Sequence, residues 1–87
     1  MSPPRATCRA ALDDTVRHFR LGMEAAGNES FVGFVDALMG VLANPKPEDE
    51  ALAAWFPEIV SAQERGDFLR VADLLEFEVR RFLADPY

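Results

Sequence analysis

The spacing of apolar residues limits the secondary structure of this chain more than any other property of its sequence. Between the turn-forming residues, apolar side chains recur every three or four positions and never in strict alternation. This spacing follows the period of an amphipathic helix, about 3.6 residues, whereas a half-buried strand requires alternation. The sequence therefore predicts an all-α fold.

Proline, glycine and asparagine divide the helical pattern into segments. The divisions fall at Pro3-Pro4, Gly27-Asn28, Asn44 to Pro47, Gly66-Asp67 and Pro86. Four helices joined by such short connections are typical of an antiparallel bundle. We therefore expect an antiparallel four-helix bundle that forms a single domain over residues 1–87, with residues 1–6 disordered.

The first two helices are predicted on either side of Gly27. The first extends from Thr7 to Ala26, with Gly27 as the residue that ends it. Its apolar stripe consists of Cys8, Leu12, Val16, Phe19, Met23 and Ala26. The second extends from Glu29 to Ala43, and Asn28 or Ser30 is its N-cap.

The third and fourth helices are predicted on either side of Gly66. The third starts at Pro47 or Glu48, and Pro57 in its middle should kink it or split it into two short pieces. The fourth starts with Asp67 as N-cap. Its stripe consists of Phe68, Ala72, Leu75, Val79 and Phe82.

Length and cysteine content leave few ways to stabilise such a chain. A chain of 87 residues buries only roughly 60–65% of the surface that its unfolded form exposes. Domains of this size often gain stability from disulfides, a metal or oligomerisation. A single cysteine excludes an intrachain disulfide, and one His with one Cys argues against a zinc site. Oligomerisation is the remaining route.

Charge and hydropathy exclude several classes of partner. The net charge of -6 and the lack of a basic stripe disfavour nucleic acid and anionic membrane surfaces. The longest apolar stretch, Phe31 to Ala43, would span roughly 20 Å as a helix, which is short of the roughly 30 Å hydrocarbon core. There is no apolar segment typical of a secretory signal near Met1. With a lone cysteine, these features predict a cytoplasmic protein.

The second predicted helix differs from an ordinary surface helix. From Phe31 to Ala43 its only charged residue is Asp36, and its apolar arc covers about 180° instead of the roughly 100° that a surface helix needs. Each glycine inside a helix lowers helix stability by about 1 kcal/mol relative to alanine. The two glycines of this helix, Gly33 and Gly40, therefore require a structural reason. We therefore predict that this helix forms a homodimer interface through Val32, Gly33, Asp36, Ala37, Met39 and Gly40. The alternative is a central core helix whose small residues are merely exposed.

Two apolar residues lie off the stripe of the fourth helix. Leu74 and Phe77 fall among Arg70, Asp73 and Arg81. They are either a small docking patch or two isolated surface residues, and the sequence favours neither.

Groups that might support catalysis or metal binding are sparse. Asp14 and His18 are spaced to form a hydrogen bond, but no nucleophile accompanies them. Cys8 lies on an apolar stripe, which predicts an inert buried thiol. The carboxylates of the fourth helix, Asp73, Glu76 and Glu78, point in different directions. Spacing along the helix offers Arg80 as a salt-bridge partner of Glu76 and Arg81 as a partner of Glu78. We expect no catalytic residue, no metal and no cofactor.

The segment from Glu64 to Val79 reads ERGDFLRVADLLEFEV. It resembles the C-terminal signature of a family of small bacterial helical proteins of unknown function, whose pattern is GD-aromatic followed by ADLLE-aromatic-E. The residues that match are Gly66, Asp67, Phe68, Ala72, Asp73, Leu74, Leu75, Glu76, Phe77 and Glu78. That family often has Tyr where this chain has Phe68 and Phe77. The resemblance covers less than a quarter of the chain and implies a bacterial source, but no activity.

The sequence therefore favours a small acidic protein–protein interaction module that is not an enzyme. We expect a homodimeric helical bundle of adaptor or chaperone type, able to hold an amphipathic segment of another protein. The alternative is a helical bundle that binds a small molecule or a metal.

Overall fold

A computed structural model of the chain describes residues 3–43, 47 and 49–83. Within these residues the protein has helices and no strands, which confirms the all-α prediction. The elements are α1 (Pro3–Arg20), α2 (Glu24–Leu42), α3 (Asp49–Glu64), α4 (Phe68–Asp73), a π-helical turn (Leu74–Val79) and α5 (Arg80–Leu83). The last three are continuous and are called here the C-terminal helix, residues 68–83. The described residues thus form four helices.

Two of these helices end in the same way. Gly22 and Gly66 both have positive φ, at 73° and 71°. The N–H of Gly22 donates to the carbonyl of Phe19, and the N–H of Met23 donates to the carbonyl of His18. This pair of bonds is the Schellman motif, in which glycine adopts the left-handed conformation without steric cost. The corresponding bonds at Gly66 end α3 as the sequence predicted.

The boundary between the first two helices was predicted at the wrong glycine. α1 ends at Arg20 and α2 begins at Glu24, so Gly27 lies inside α2 and does not end a helix. Met23 occupies the N-cap position of α2 without a side-chain cap, so neither Asn28 nor Ser30 has that role. The apolar spacing continues across the break between α1 and α2. The start of α2 also has no capping side chain, so the sequence does not mark it.

The start of α1 also differs from the expectation. The helix begins at Pro3 and so includes residues 3–6, which the sequence analysis predicted to be disordered. Arg5 is mostly buried and forms a salt bridge with Asp49, the first residue of α3. It also donates from Nη1 to the carbonyl of Phe82 over 3.1 Å. These contacts connect the start of α1 to α3 and to the C-terminal helix.

α3 continues through Pro57 as one helix, so it is not split into two pieces. Its first turn carries Asp49 and Glu50, and acidic residues suit the positive end of the helix dipole. The predicted start at Glu48 lies outside the described residues.

The C-terminal helix begins as predicted. Asp67 is its N-cap and accepts a hydrogen bond from the backbone N–H of Arg70. The π-helical turn that follows was not predicted from the sequence. Such turns are rare and usually short, and they alter the direction of the side chains that follow.

α1 packs between α2 and the C-terminal helix, and α3 packs against the C-terminal helix. Phe19 of α1 stacks on Phe68, with ring centroids 4.8 Å apart. The buried apolar core draws on all four helices and contains Cys8, Leu12, Val16, Phe19, Phe31, Phe34, Leu38, Val41, Leu52, Ile59, Ala62, Val71, Ala72, Leu74, Leu75, Val79 and Leu83.

Candidate interaction surfaces

The outer side of α2 carries the residues predicted to form a dimer interface. Val32 and Met39 are exposed to 60% and 47%, which is unusual for large apolar side chains. Gly33, Asp36 and Gly40 are also exposed. Ala37 is half-buried at the edge of this surface. The structure thus brings the six predicted residues to one side of α2 and leaves five of them exposed.

Two half-buried residues extend this surface. Val35 and Leu42 pack partly against the core and stay partly accessible. At the helical period they fall beside Met39 and Val32. We call the surface made by Val32, Gly33, Val35, Asp36, Ala37, Met39, Gly40 and Leu42 the outer face of α2.

Glycine at position 33 is not required by contacts within the chain. A Cβ atom at Gly33 would meet nothing within 4 Å. The residue therefore leaves open space next to the backbone, where another helix could approach closely.

The predicted pairing of Leu74 with Phe77 on the surface was wrong. Leu74 is only 2% exposed, whereas Phe77 is 63% exposed. Leu74 lies one turn after Val71 and shares its side of the helix, which α3 covers. The apolar arc of this helix is therefore wider than the stripe read from the sequence, and Phe77 remains on the surface without Leu74.

The surroundings of Phe77 are mixed. The guanidinium carbon of Arg20 lies 5.9 Å from the centroid of the Phe77 ring. Phe77 also borders a groove of about 250 Å³ whose lining includes Trp55 and Arg70. Phe77 is thus an exposed apolar side chain with both charged and apolar neighbours.

Arg20 joins the end of α1 to the C-terminal helix. Its Nη2 atom lies 3.0 Å from Asp73 Oδ1 and 2.9 Å from Glu76 Oε2. The hydrogen bond with Asp73, followed by the charge of Glu76, raises the pKa of Arg20 above its ordinary value. Two of the three candidate carboxylates, Asp73 and Glu76, therefore form structural ion pairs with Arg20.

Of the two ion pairs predicted along the fourth helix, one forms and the other does not. Glu78 pairs with Arg81 as expected, at 3.5 Å. Glu76 does not pair with Arg80, because Arg80 Nε lies 3.0 Å from Asp13 Oδ1 on α1. These choices depend on how α1 lies against the C-terminal helix, which spacing along one helix does not encode.

The predicted pair of Asp14 and His18 does not form. Asp14 Oδ1 accepts from Arg17 over 3.0 Å. His18 Nδ1 is hydrogen-bonded to Ser30 Oγ over 2.9 Å. His18 therefore helps to hold α2 against α1.

Cys8 is fully buried, as its position on the apolar stripe predicted. Its Sγ atom lies 3.9 Å from the carbonyl oxygen of Phe34. Burial raises the pKa of the thiol from 9.0 to about 12, and the nearby charge of Arg5 opposes this rise only in part. A thiol of this kind has almost no thiolate at neutral pH and is chemically inert.

Among the described residues, no group of three or more His, Cys, Asp or Glu side chains is placed to hold a metal ion. In the same part of the chain, no helix is both long and apolar enough to span a lipid bilayer.

Sequence reasoning missed one surface. A groove of about 370 Å³ lies between α1 and the C-terminal helix, and its lining includes the exposed side chain of Leu21 and the ion-paired side chains Asp13, Arg20, Glu76 and Arg80. The arginines are visible in the sequence, but only the packing of the two helices places them together.

No protein-family model matches this chain, and no curated protein or solved structure is significantly similar to it.

Proposed function

We propose that this protein is a small acidic interaction module that forms a homodimer through the outer face of α2. The observation that carries the proposal is the exposure of Val32 and Met39 beside the open space at Gly33. Large apolar side chains grouped on one surface mark protein interaction sites more often than isolated ones do. The proposed role of the homodimer is that of an adaptor or chaperone.

A second copy of the chain is the simplest partner for this surface. Burying apolar surface stabilises an association by about 25 cal/mol per Å², and a C2 dimer buries the same surface twice. The small size of the chain makes such additional burial valuable, since its own core is limited. Gly33, Ala37 and Gly40 would allow the two α2 helices to approach closely.

Asp36 gives this interface a predictable electrostatic property. In a symmetric dimer, the two copies of Asp36 lie near the two-fold axis, because this residue is central in the outer face. Like charges in proximity repel each other. We therefore expect Asp36→Asn to strengthen the dimer.

The primary test is the mass in solution, measured by light scattering over a roughly hundredfold dilution. We expect a dimer for the native chain and a shift towards monomer for Val32→Glu. Leu69→Glu is the matched control, because Leu69 is 61% exposed on the C-terminal helix, nearly the same as Val32. Gly40→Leu should likewise weaken association more than it reduces helix content.

Two results would contradict the dimer. The first is a native chain that is monomeric at every concentration. The second is a dimer that Val32→Glu and Gly40→Leu leave intact, since the interface would then lie elsewhere.

The arrangement of the helices and the setting of the protein belong to the same proposal. We propose that the four helices pack as an antiparallel bundle with a bend of α3 at Pro57, because the connections are short and proline removes a helical hydrogen bond. We further propose a cytoplasmic protein of bacterial origin. Elemental analysis of the purified protein tests the alternative of a metal-binding bundle, which a stoichiometric transition metal would support.

A further inference from the structure

The start of α1 is joined to two other helices through the side chain of Arg5. Its guanidinium group forms a salt bridge with Asp49, the first residue of α3. Its Nη1 atom also donates to the carbonyl oxygen of Phe82 over 3.1 Å, in the last turn of the C-terminal helix. One side chain thus holds three helix ends together.

This ion pair is largely shielded from water. The side chain of Arg5 is 12% exposed, and that of Asp49 is 0% exposed. Two charges that are removed from water lose hydration energy, and their mutual attraction must offset that loss. The net free energy that holds such a pair together is therefore small, because separating the two charges restores their hydration.

The residues that follow Arg5 add little to this attachment. Ala6 and Thr7 are both exposed. The next residue, Cys8, is fully buried and belongs to the core. Of residues 5–7, Arg5 alone is shielded from solvent, so it provides most of their attachment to the other helices. We call residues 3–7 of α1 the N-terminal strap.

Local electrostatics do not favour the helical conformation of the N-terminal strap. The first turn of α1 contains no acidic residue, although negative charge stabilises the positive end of a helix dipole. The positive charge of Arg5 at this end is unfavourable. The contacts of Arg5 with Asp49 and Phe82 compensate for this effect, and they do so from other helices.

We propose that the N-terminal strap opens and closes on a folded bundle, and that the contacts of Arg5 with Asp49 and Phe82 hold it closed. Opening separates Arg5 from both partners and uncovers Cys8, while the core beyond it stays packed. Segments that few buried contacts hold in place open at a lower free energy than the whole protein unfolds. The strap thus controls access to the place where the three helix ends meet.

Cys8 is a natural probe of this opening, because it is the only cysteine of the chain. In the closed state its thiol is buried, and burial raises its pKa to about 12. The reagent DTNB reacts with an accessible thiolate and not with a buried thiol. The labelling rate therefore measures the population of molecules in which the strap is open or the whole chain is unfolded.

The first experiment measures the labelling rate of the native chain at increasing urea concentration and at about pH 8, where a free thiol is partly ionised. Opening of the strap exposes little surface, so we expect the rate to be almost independent of urea at low concentration. Global unfolding exposes the whole core and makes the rate rise steeply with urea. A rate that rises with the full slope of global unfolding from zero urea would overturn the inference.

Variants test whether Arg5 holds the strap closed. Arg5→Ala should increase the urea-independent rate by about tenfold or more, because the charge of Asp49 loses its ion pair with Arg5 and opening hydrates it. Arg5→Lys should have a smaller effect, since lysine keeps the charge but not the planar group that binds Asp49 and Phe82 together. Arg17→Ala is the matched control, because Arg17 is also on α1 and its salt bridge with Asp14 is exposed.

Far-UV circular dichroism and urea denaturation establish that each variant is folded and give its global stability. Arg5→Lys, the milder substitution, provides the comparison should Arg5→Ala not fold. Two results would contradict the role of Arg5. One is a gain in labelling equal to the loss of global stability, since Arg5 would then stabilise the whole bundle. The other is an equal effect of Arg5→Ala and Arg17→Ala.

The strap and the homodimer are independent, because the dimer is proposed to form through the outer face of α2. A monomeric chain that labels independently of urea would refute the dimer alone. A dimer that labels only through global unfolding would refute the strap alone.

Discussion

Two glycines of α2, Gly27 and Gly33, have opposite surroundings. A Cβ atom at Gly27 would overlap two ring carbons of Phe19, so the Phe19 ring occupies the space that a larger residue would need. A Cβ atom at Gly33 would have open space. Contacts within the chain account for the first glycine and give no reason for the second.

The same contrast extends along both sides of α2. The inner side buries Phe31, Phe34, Leu38 and Val41 against the rest of the chain. The outer face exposes Val32 and Met39, where a surface helix normally carries polar residues. The inner side is thus covered by the rest of the same chain. The outer face carries exposed large apolar side chains, as expected for the proposed contact with a second molecule. Four experiments test this contrast.

The largest effect is expected at the centre of the inner side. Phe34 is fully buried, so Phe34→Ala should lower the free energy of unfolding by about 3–5 kcal/mol. Val32→Ala on the outer face should change that free energy of the monomer by less than about 0.5 kcal/mol. Urea denaturation at low protein concentration measures both. Similar losses for the two variants would mean that the two sides are not different in the monomer.

Gly27→Ala should destabilise the protein in spite of the higher helix propensity of alanine. The added methyl group would collide with the ring of Phe19, and overpacking of this kind costs about 1–3 kcal/mol. Thermal or urea unfolding measures the loss. An unchanged free energy of unfolding would show that α1 and α2 can separate at this point without cost.

The contact of Cys8 with the inner side of α2 predicts a pH dependence. Burial raises the thiol pKa from 9.0 to about 12. The unfolded chain therefore loses this proton at lower pH than the folded chain. The stabilisation is fully present below about pH 9 and is lost as the pH rises towards about 12.

Between about pH 8 and about pH 10, we expect this thiol to lower the free energy of unfolding by about 1 kcal/mol. Urea denaturation of the native chain and of Cys8→Ala at both pH values measures the difference in slope. The variant is less stable overall, so only its change with pH is compared. Identical changes would contradict the burial of the thiol.

The smallest effect on the monomer is expected at Gly33. Gly33→Ala should raise the free energy of unfolding of the monomer by up to about 1 kcal/mol, because alanine favours the helix and meets no other atom. The same substitution should weaken the dimer, because the added methyl group separates the two helices. Urea denaturation at low concentration and light scattering at high concentration give the two readings. A more stable monomer with an unchanged dimer would mean that Gly33 is not at the contact.

The sequence predicted those parts of the fold that depend on short segments. The helical period gave the all-α class, and the positions of Cys8, Leu12, Val16 and Phe19 on one stripe gave their burial. Gly66 and Asp67 gave the end of α3 and the start of the C-terminal helix. These features follow from local conformational preference and capping, which a few neighbouring residues decide.

The candidate surfaces could be predicted only in part. The apolar arc of α2 was visible because Asp36 is the one charged residue between Phe31 and Ala43, and it marks the outer face. The separation of Leu74 from Phe77 was not visible, because it depends on α3 covering one side of the C-terminal helix. The groove between α1 and the C-terminal helix was not predicted for a similar reason, since Arg20 and Arg80 belong to different helices.

The helical class, the end of α3 and the buried side of α1 can thus be read from the sequence. The packing of Gly27 against Phe19, the burial of Leu74 and the pairing of Arg20 with Asp73 and Glu76 depend on how the helices lie against one another. The two groups of features differ in the range of the interactions that decide them. Helix propensity and capping act within one or two turns, whereas close packing and ion pairing depend on residues that are distant in the chain.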